Sequence, residues 1–126
     1  MAKVAISTEN APQPAAAYSQ GSRKGNILQV AGQVPIDPET GKIVGTTVGE
    51  QARQVLANVG AVLEAAGSGF GDVVMVRVYL TDSAHFAEFN EVYNEVMKEP
   101  YAARTTVYVG LAPGLLVEID ALAVLD

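Results

Sequence analysis

The chain has 126 residues, of which 49% are hydrophobic and 17% charged, and its formal net charge is -6. This length suits one domain over residues 1–126. With no cysteine and one histidine, the chain has no disulfide framework, no thiol nucleophile and no set of ligands for a metal. An acidic chain without a basic stripe is unsuited to nucleic acid, and no apolar run is long enough for a membrane span. We therefore expect a cytoplasmic protein that binds neither a membrane nor nucleic acid.

The first 41 residues predict strands joined by turns. A short strand is expected from Lys3 to Ile6. Residues 17–21 and 27–33 flank the polar, glycine-containing segment 22–26, a pattern that indicates a β-hairpin. Proline and glycine at the corners of residues 37–41 indicate a turn.

Two helices follow. Thr47 and Glu50 form a capping-box pattern, apolar residues then recur at spacings of three and four, and Gly67 ends the helix. The second helix begins near Asp82 or Ser83 and ends before a proline. Its apolar stripe consists of Phe86, Phe89, Tyr93, Val96 and Met97. Asn90 interrupts this stripe, so its amide needs hydrogen-bond partners or an opening to solvent.

The remaining segments predict three strands with unlike faces. In residues 73–80, an aliphatic row of alternate residues suits packing under the helices: Val74, Val76, Val78 and Leu80. Two further strands surround the turn at residues 110–114. The order of elements predicts an α+β fold, with two helices on one face of a mostly antiparallel sheet of about six strands.

Alternation along the strands places a mixed set of side chains opposite the helices: Met75, Arg77, Tyr79, Arg104, Tyr108, Leu116, Glu118, Asp120 and Leu122. This face is too apolar for water and too charged for a core, so we expect it to meet other subunits in a closed ring with sites at the seams. Arg104 and Asp120 on this face are compatible with two interpretations, an anion site or an ordinary ion pair. Arg77 and Glu118 are interpreted as structural or rim charges.

The order of short segments from about Ser7 to Val124 resembles the Rid (YjgF-like) family of imine/enamine deaminases. The segments include Tyr18-Ser19-Gln20-Gly21, Ala31-Gly32-Gln33-Val34-Pro35, Phe89-Asn90, Ala103-Arg104 and Val117-Glu118-Ile119. The resemblance implies a chorismate-mutase-like fold and a homotrimer that encloses a β-barrel. It also implies hydrolysis of 2-imino acids such as 2-iminopropanoate, the tautomer of 2-aminoacrylate, to 2-oxo acids and ammonia without a cofactor.

The resemblance also assigns site residues by position. Arg104 holds the substrate carboxylate, Asp120 positions the water in place of the family's glutamate, and Tyr18 is the third catalytic residue. The cleft is lined by Ala31, Gly32, Asn90 and Thr106, the last standing where many members have cysteine. Two other functions remain open: a non-catalytic homologue that binds small carboxylic acids and, less favoured, a ribonuclease or translation inhibitor.

Overall fold

The computed structural model describes all 126 residues. Its helices and strands are β1 (Val4–Ile6), β2 (Gly21–Lys24), β3 (Ile27–Gln33), α1 (Val48–Ala65), β4 (Val73–Leu80), α2 (Phe86–Val96), β5 (Ala103–Tyr108) and β6 (Val117–Val124). The strands form one sheet in the order β1-β2-β3-β6-β4-β5. All neighbours pair antiparallel except β4 and β5, which are parallel. The predicted α+β fold with two helices on a mostly antiparallel sheet is confirmed.

Helix α1 begins and ends where its sequence predicts. The Thr47 hydroxyl accepts a hydrogen bond from Glu50 N, and Glu50 Oε1 accepts one from Thr47 N at 3.1 Å. The reciprocal pair satisfies backbone donors that the first helical turn leaves free. After the last turn, Gly67 has a φ of 74°, a conformation that favours glycine. Neither this helix nor α2 is long and apolar enough to cross a membrane.

The hydrophobic core lies between the two helices and one face of the sheet, and 23 apolar residues are buried there. The buried side-chain amide of Gln51 also links α1 to the loop before β6. Gln51 of α1 donates through Nε2 to Gly114 O at 2.9 Å and accepts through Oε1 from Leu116 N at 2.8 Å. These bonds tie α1 to the loop that leads into β6, and thereby help to set where β6 starts.

The first hairpin differs from its prediction. Residues 22–24, expected in the loop, belong to β2, and the turn contains only Gly25 and Asn26. Two-residue hairpin turns require positive φ, and Gly25 supplies it at 61°. The polar character of residues 22–24 was misleading, because β2 lies near the edge of the sheet, where polar side chains meet solvent.

The start of β4 also differs. Val74 was expected under the helices but is 48% exposed, whereas Val73 is buried. The pairing of β4 with β6 shifts register between Val73 and Met75. A register irregularity interrupts the alternation of faces along a strand, so the aliphatic row starts only at Val76.

Candidate active site

Arg104 lies on the helix-covered face of the sheet. It stands opposite Val76 in the parallel pair of β5 and β4, and paired residues point to the same face. Val76 is buried in the core beneath the helices. The expectation that Arg104 shares a face with Asp120 is therefore wrong. β5 is an edge strand, and its apolar row, which includes the exposed Val107, lies on the open face instead.

The guanidinium of Arg104 rests against aromatic rings of α2. Its central carbon lies 4.7 Å from the ring centroid of Tyr93, 5.5 Å from that of Phe89 and 5.7 Å from that of Phe86. These distances are within the range of cation–π attraction. Burial raises the pKa of Tyr93, although the charge of Arg104 opposes this effect. The rings therefore form a neutral platform that holds the cation.

Asn90 fixes the orientation of Arg104 on this platform. Arg104 Nη2 donates to Asn90 Oδ1 at 2.8 Å. This bond supplies the partner that an amide on an apolar helical stripe requires. The two ion pairs in the chain are Arg53–Glu95 and Arg77–Asp120. Arg104 thus has no carboxylate partner, and its remaining N–H groups are available to a ligand.

Asp120 lies on the open face of the sheet, and only 9% of the residue is exposed. Its Oδ1 accepts a hydrogen bond from Arg77 Nε and its Oδ2 accepts one from the Tyr79 hydroxyl, both at 2.7 Å. The bond to Asp120 raises the pKa of Arg77 and that of Tyr79. An ion pair was one of two interpretations that the sequence left open for Arg104 and Asp120, and the base that pairs with Asp120 is Arg77 rather than Arg104.

Glu118 is a second carboxyl on the open face, two residues before Asp120. It is half-buried, and burial, followed by the charge of Asp120, raises its pKa. Its carboxyl group lies against Gly32, where a Cβ would overlap Glu118 Oε2. The missing side chain at position 32 thus makes room for this carboxyl. Glu118 takes part in neither ion pair of the chain.

The strand pattern of the sequence indicates only a structural or rim charge at Glu118. One signal was available, because Val117-Glu118-Ile119 was itself one of the segments that carried the resemblance. The segment with Gly32 was another. What the sequence could not reveal is that the carboxyl of Glu118 and the backbone of Gly32 meet across two neighbouring strands, β3 and β6.

The candidate residues fall into two groups within the chain. The arginine half comprises Phe86, Phe89, Asn90, Tyr93, Arg104 and Thr106, the last two alternating along the same face of β5. The glutamate half comprises Ala31, Gly32, Tyr79, Glu118 and Asp120 on β3, β4 and β6. The two halves lie on opposite faces of the sheet, and β6, which carries Glu118, is about 10 Å from β5 because β4 lies between them.

Tyr18 lies in the loop that precedes β2, two residues before Gln20, whose carbonyl oxygen accepts a hydrogen bond from Ala31 N at 2.9 Å. It is 53% exposed, and its hydroxyl accepts a hydrogen bond from Ala15 N at 3.4 Å. The single chain thus brings Arg104, Asn90 and Thr106 together, and Tyr18 lies at the surface near the start of β2.

No concavity of the single chain is lined by any of the sequence-predicted site residues. The largest is an open groove of about 830 Å³ beside α1, lined by Gly60, Phe70 and Val96 among others. No group of three or more His, Cys, Asp and Glu side chains is placed to hold a metal ion.

The fold and these contacts define a class of protein, a small α+β domain that presents an unpaired arginine suited to binding a carboxylate. The chain belongs to the RutC/RidA family: the family model described as Endoribonuclease L-PSP matches residues 8–125. A RutC family protein of Pyrococcus horikoshii is 51% identical over 122 residues, which are 96% of this chain and 97% of that protein. The resemblance to the Rid family is thereby confirmed.

Two other similar proteins carry more specific names. Reactive Intermediate Deaminase A, chloroplastic, of Arabidopsis thaliana is 37% identical over 98% of this chain and 66% of that protein. The crystal structure of E. coli TdcF with bound serine superposes with a TM-score of 0.91 at 38% identity. That match covers 98% of this chain and 99% of TdcF.

Proposed function

We propose that this protein hydrolyses 2-imino acids of the 2-iminopropanoate class to 2-oxo acids and ammonia, in clefts between the subunits of a homotrimer. The proposal rests on the contacts of Arg104. Its guanidinium lies against three aromatic rings of α2, is hydrogen-bonded to Asn90 and has no carboxylate partner. A relative of this chain is named a reactive intermediate deaminase, which supports the same chemistry.

The arginine half binds the carboxylate of the substrate. A guanidinium has five N–H donors in a planar fork, and it can give two parallel hydrogen bonds to a carboxylate. Asn90 uses one donor and fixes the plane of the fork, while the rings shield it from water. Fixed orientation matters because the imine carbon is directly bonded to the carboxylate that Arg104 holds. The backbone at Thr106, the next residue in the same row, orients the imine nitrogen.

The reaction needs one water molecule and the transfer of its protons. The water oxygen bonds to the imine carbon while a proton reaches the nitrogen, which gives a carbinolamine. The hydroxyl of this intermediate then loses its proton as the C–N bond breaks, which releases ammonia and the 2-oxo acid. A carboxyl that accepts the proton from water and returns it to nitrogen serves both steps.

We assign this proton transfer to Glu118 in place of Asp120. Both oxygens of Asp120 already accept hydrogen bonds from the protein, whereas Glu118 is in no ion pair and has a raised pKa. An acid with a raised pKa exchanges a proton more readily near neutral pH. Glu118 also has the length of the glutamate that the family resemblance implies.

In one chain the two halves lie on opposite faces of the sheet, so they do not face one small substrate. A closed ring of three subunits solves this problem if the arginine half of one subunit faces the glutamate half of the next. The open face of the sheet offers the surface for such contacts, with exposed apolar residues such as Val74 and Val107. Sedimentation should find a trimer at micromolar concentration, and a monomer would overturn this arrangement.

The deaminase proposal is tested by generating 2-aminoacrylate enzymatically and following pyruvate and ammonia. The protein should accelerate their formation above the rate in buffer. Arg104→Ala should lower the rate on the order of 100-fold, because it removes charge-assisted hydrogen bonds to the substrate. Arg53→Ala is the matched control, since Arg53 lies in an exposed ion pair on the helical surface. No acceleration by the wild type, or equal loss in the two variants, contradicts the proposal.

A non-catalytic protein that binds small carboxylic acids is the second candidate. It is favoured by the crystal structure of TdcF with bound serine, because the arginine half alone can hold such a carboxylate. Calorimetry with 2-oxobutanoate distinguishes the two functions: binding that requires Arg104, without turnover of the imine, supports the second. Ribonuclease activity is the least favoured, since the net charge of -6 opposes binding to phosphate backbones.

A further inference from the structure

A chain of hydrogen bonds on the open face of the sheet surrounds Asp120. Arg77 Nε and the Tyr79 hydroxyl occupy its two oxygens at 2.7 Å each. Arg77 Nη2 also approaches Gln29 Oε1 at 3.5 Å, and Gln29 Nε2 in turn donates to Ala121 O at 3.0 Å. Two side chains of β4 thus hold the Asp120 carboxylate in one orientation, and Gln29 of β3 contacts one of them, Arg77.

This fixed carboxylate lies beside Glu118. Residues two apart on a strand point to the same face, about 7 Å from each other. Across the sheet, Tyr79 stands opposite Glu118 on β4, and Arg77 stands opposite Asp120. On the other side, β3 contributes Gly32, which adds no charge. The titratable and charged groups of this chain that face Glu118 are therefore Asp120, Tyr79 and, behind Asp120, Arg77.

We infer that Arg77, Asp120 and Tyr79 form a positioning network that sets how strongly Glu118 holds its proton. The charge of Asp120 disfavours a second negative charge on Glu118. Arg77 offsets part of the Asp120 charge, and Tyr79 holds that charge in place without adding one. The inference rests on the proposed function only for its catalytic meaning, because the electrostatic coupling itself does not depend on turnover.

The network makes predictions of opposite sign for two substitutions. Asp120→Asn keeps the size of the side chain but removes its negative charge, so Glu118 should lose its proton at lower pH. Arg77→Met removes the compensating cation, so Glu118 should lose its proton at higher pH. Each change should move the titration midpoint of Glu118 by about half a pH unit or more. A purely structural role for the three residues predicts lower stability in both variants and no such opposite movement.

The experiment is a carbon-13 NMR titration of the glutamate carboxyl groups in the assembled protein. The Glu118 signal is assigned by its absence in Glu118→Gln. Glu64→Gln removes the same charge from an exposed position on α1 and should leave the midpoint of Glu118 unchanged. Circular dichroism checks that each variant is folded, and Arg77→Gln replaces Arg77→Met if the latter does not fold. Midpoints that stay fixed, or that move in the same direction in both variants, overturn the inference.

The titration separates this inference from the proposed function. If the wild type shows no deaminase activity but the two midpoints move apart, the proposed function fails and the network stands. If the wild type deaminates and the midpoints do not move, the network fails alone. If the wild type deaminates and the two midpoints move apart, the pH profile of kcat/KM should move with the midpoint of Glu118 in each variant. Identical pH profiles in the wild type and the variants contradict the link to catalysis.

Discussion

The arginines on the two faces of the sheet differ in their partners. On the helix-covered face, Arg104 has an amide and three aromatic rings for partners and no carboxylate. On the open face, Arg77 forms a 2.7 Å ion pair with Asp120, which is also bonded to Tyr79. Both residues lie on neighbouring strands of one sheet, yet one cation is neutralised within the chain and the other is not.

This difference identifies the arginine suited to binding a ligand. A guanidinium that already shares a carboxylate gains little from a second anion, whereas one paired only with an amide retains its full charge. The rings contribute attraction without neutralising this charge. The partners of an arginine, more than its presence on a mixed face, therefore indicate whether it can bind a substrate.

The strongest test of the comparison mixes two variants, one with a defective arginine half and one with a defective glutamate half. Arg104→Ala and Glu118→Gln should each be nearly inactive as pure assemblies. When they are mixed under conditions that exchange subunits, sites that combine the intact halves of two chains should restore roughly a quarter of wild-type activity, the statistical share in a ring of shared sites.

The same mixture can contradict this view. Activity that stays at the level of the pure variants, although exchange is demonstrated by mass spectrometry, would place both halves of the site in one chain. Mixing Arg104→Ala with itself under the same conditions controls for recovery caused by the exchange procedure.

The next test concerns the contact between Gly32 and Glu118. Gly32→Ala should lower kcat/KM about tenfold or more, because the added Cβ displaces the carboxyl, and small displacements of a reacting group are costly. Gly71→Ala is the control, since a Cβ there meets no atom within 4 Å. Steady-state kinetics measure the effect. If the Gly32 variant keeps wild-type kinetics, the position of Glu118 in this structure is irrelevant to the reaction.

The smallest expected effect concerns stability. Because the pKa of Glu118 is raised above its ordinary value of 4.5, the folded protein holds this proton more tightly than the unfolded chain. Stability from this group is present below the unfolded pKa and is lost as pH rises through the folded pKa. Glu118→Gln should therefore raise Tm at about pH 7 by no more than about 3 °C, and the gain should vanish at about pH 3.

Thermal unfolding followed at the two pH values measures this difference. Glu64→Gln, at an exposed position, should show no comparable dependence on pH. A Tm for Glu118→Gln that falls below that of the wild type at neutral pH would mean that ionised Glu118 stabilises the fold. Glu118, whose ionisation is expected to lower the stability of the fold, would then no longer differ in this respect from the ion-paired Asp120.

Local patterns in the sequence were sufficient for most of the fold. Thr47 and Glu50 mark the start of α1 because capping depends on residues three positions apart. The hairpin was found but misplaced, since its boundaries depend on the turn geometry at Gly25. The face of Arg104 was misassigned because alternation defines two faces of a strand without stating which one the helices cover.

The sequence by itself determined the α+β fold and the family, both of which rest on local spacing and on the order of segments. Only the tertiary structure decided which groups meet. In that structure Asp120 accepts hydrogen bonds from Arg77 and Tyr79, Asn90 accepts one from Arg104, and the carboxyl of Glu118 lies against Gly32. The physical reason is that these contacts join residues 14 to 86 positions apart in the chain. Strand order and register determine which residues meet, and short-range periodicity specifies neither.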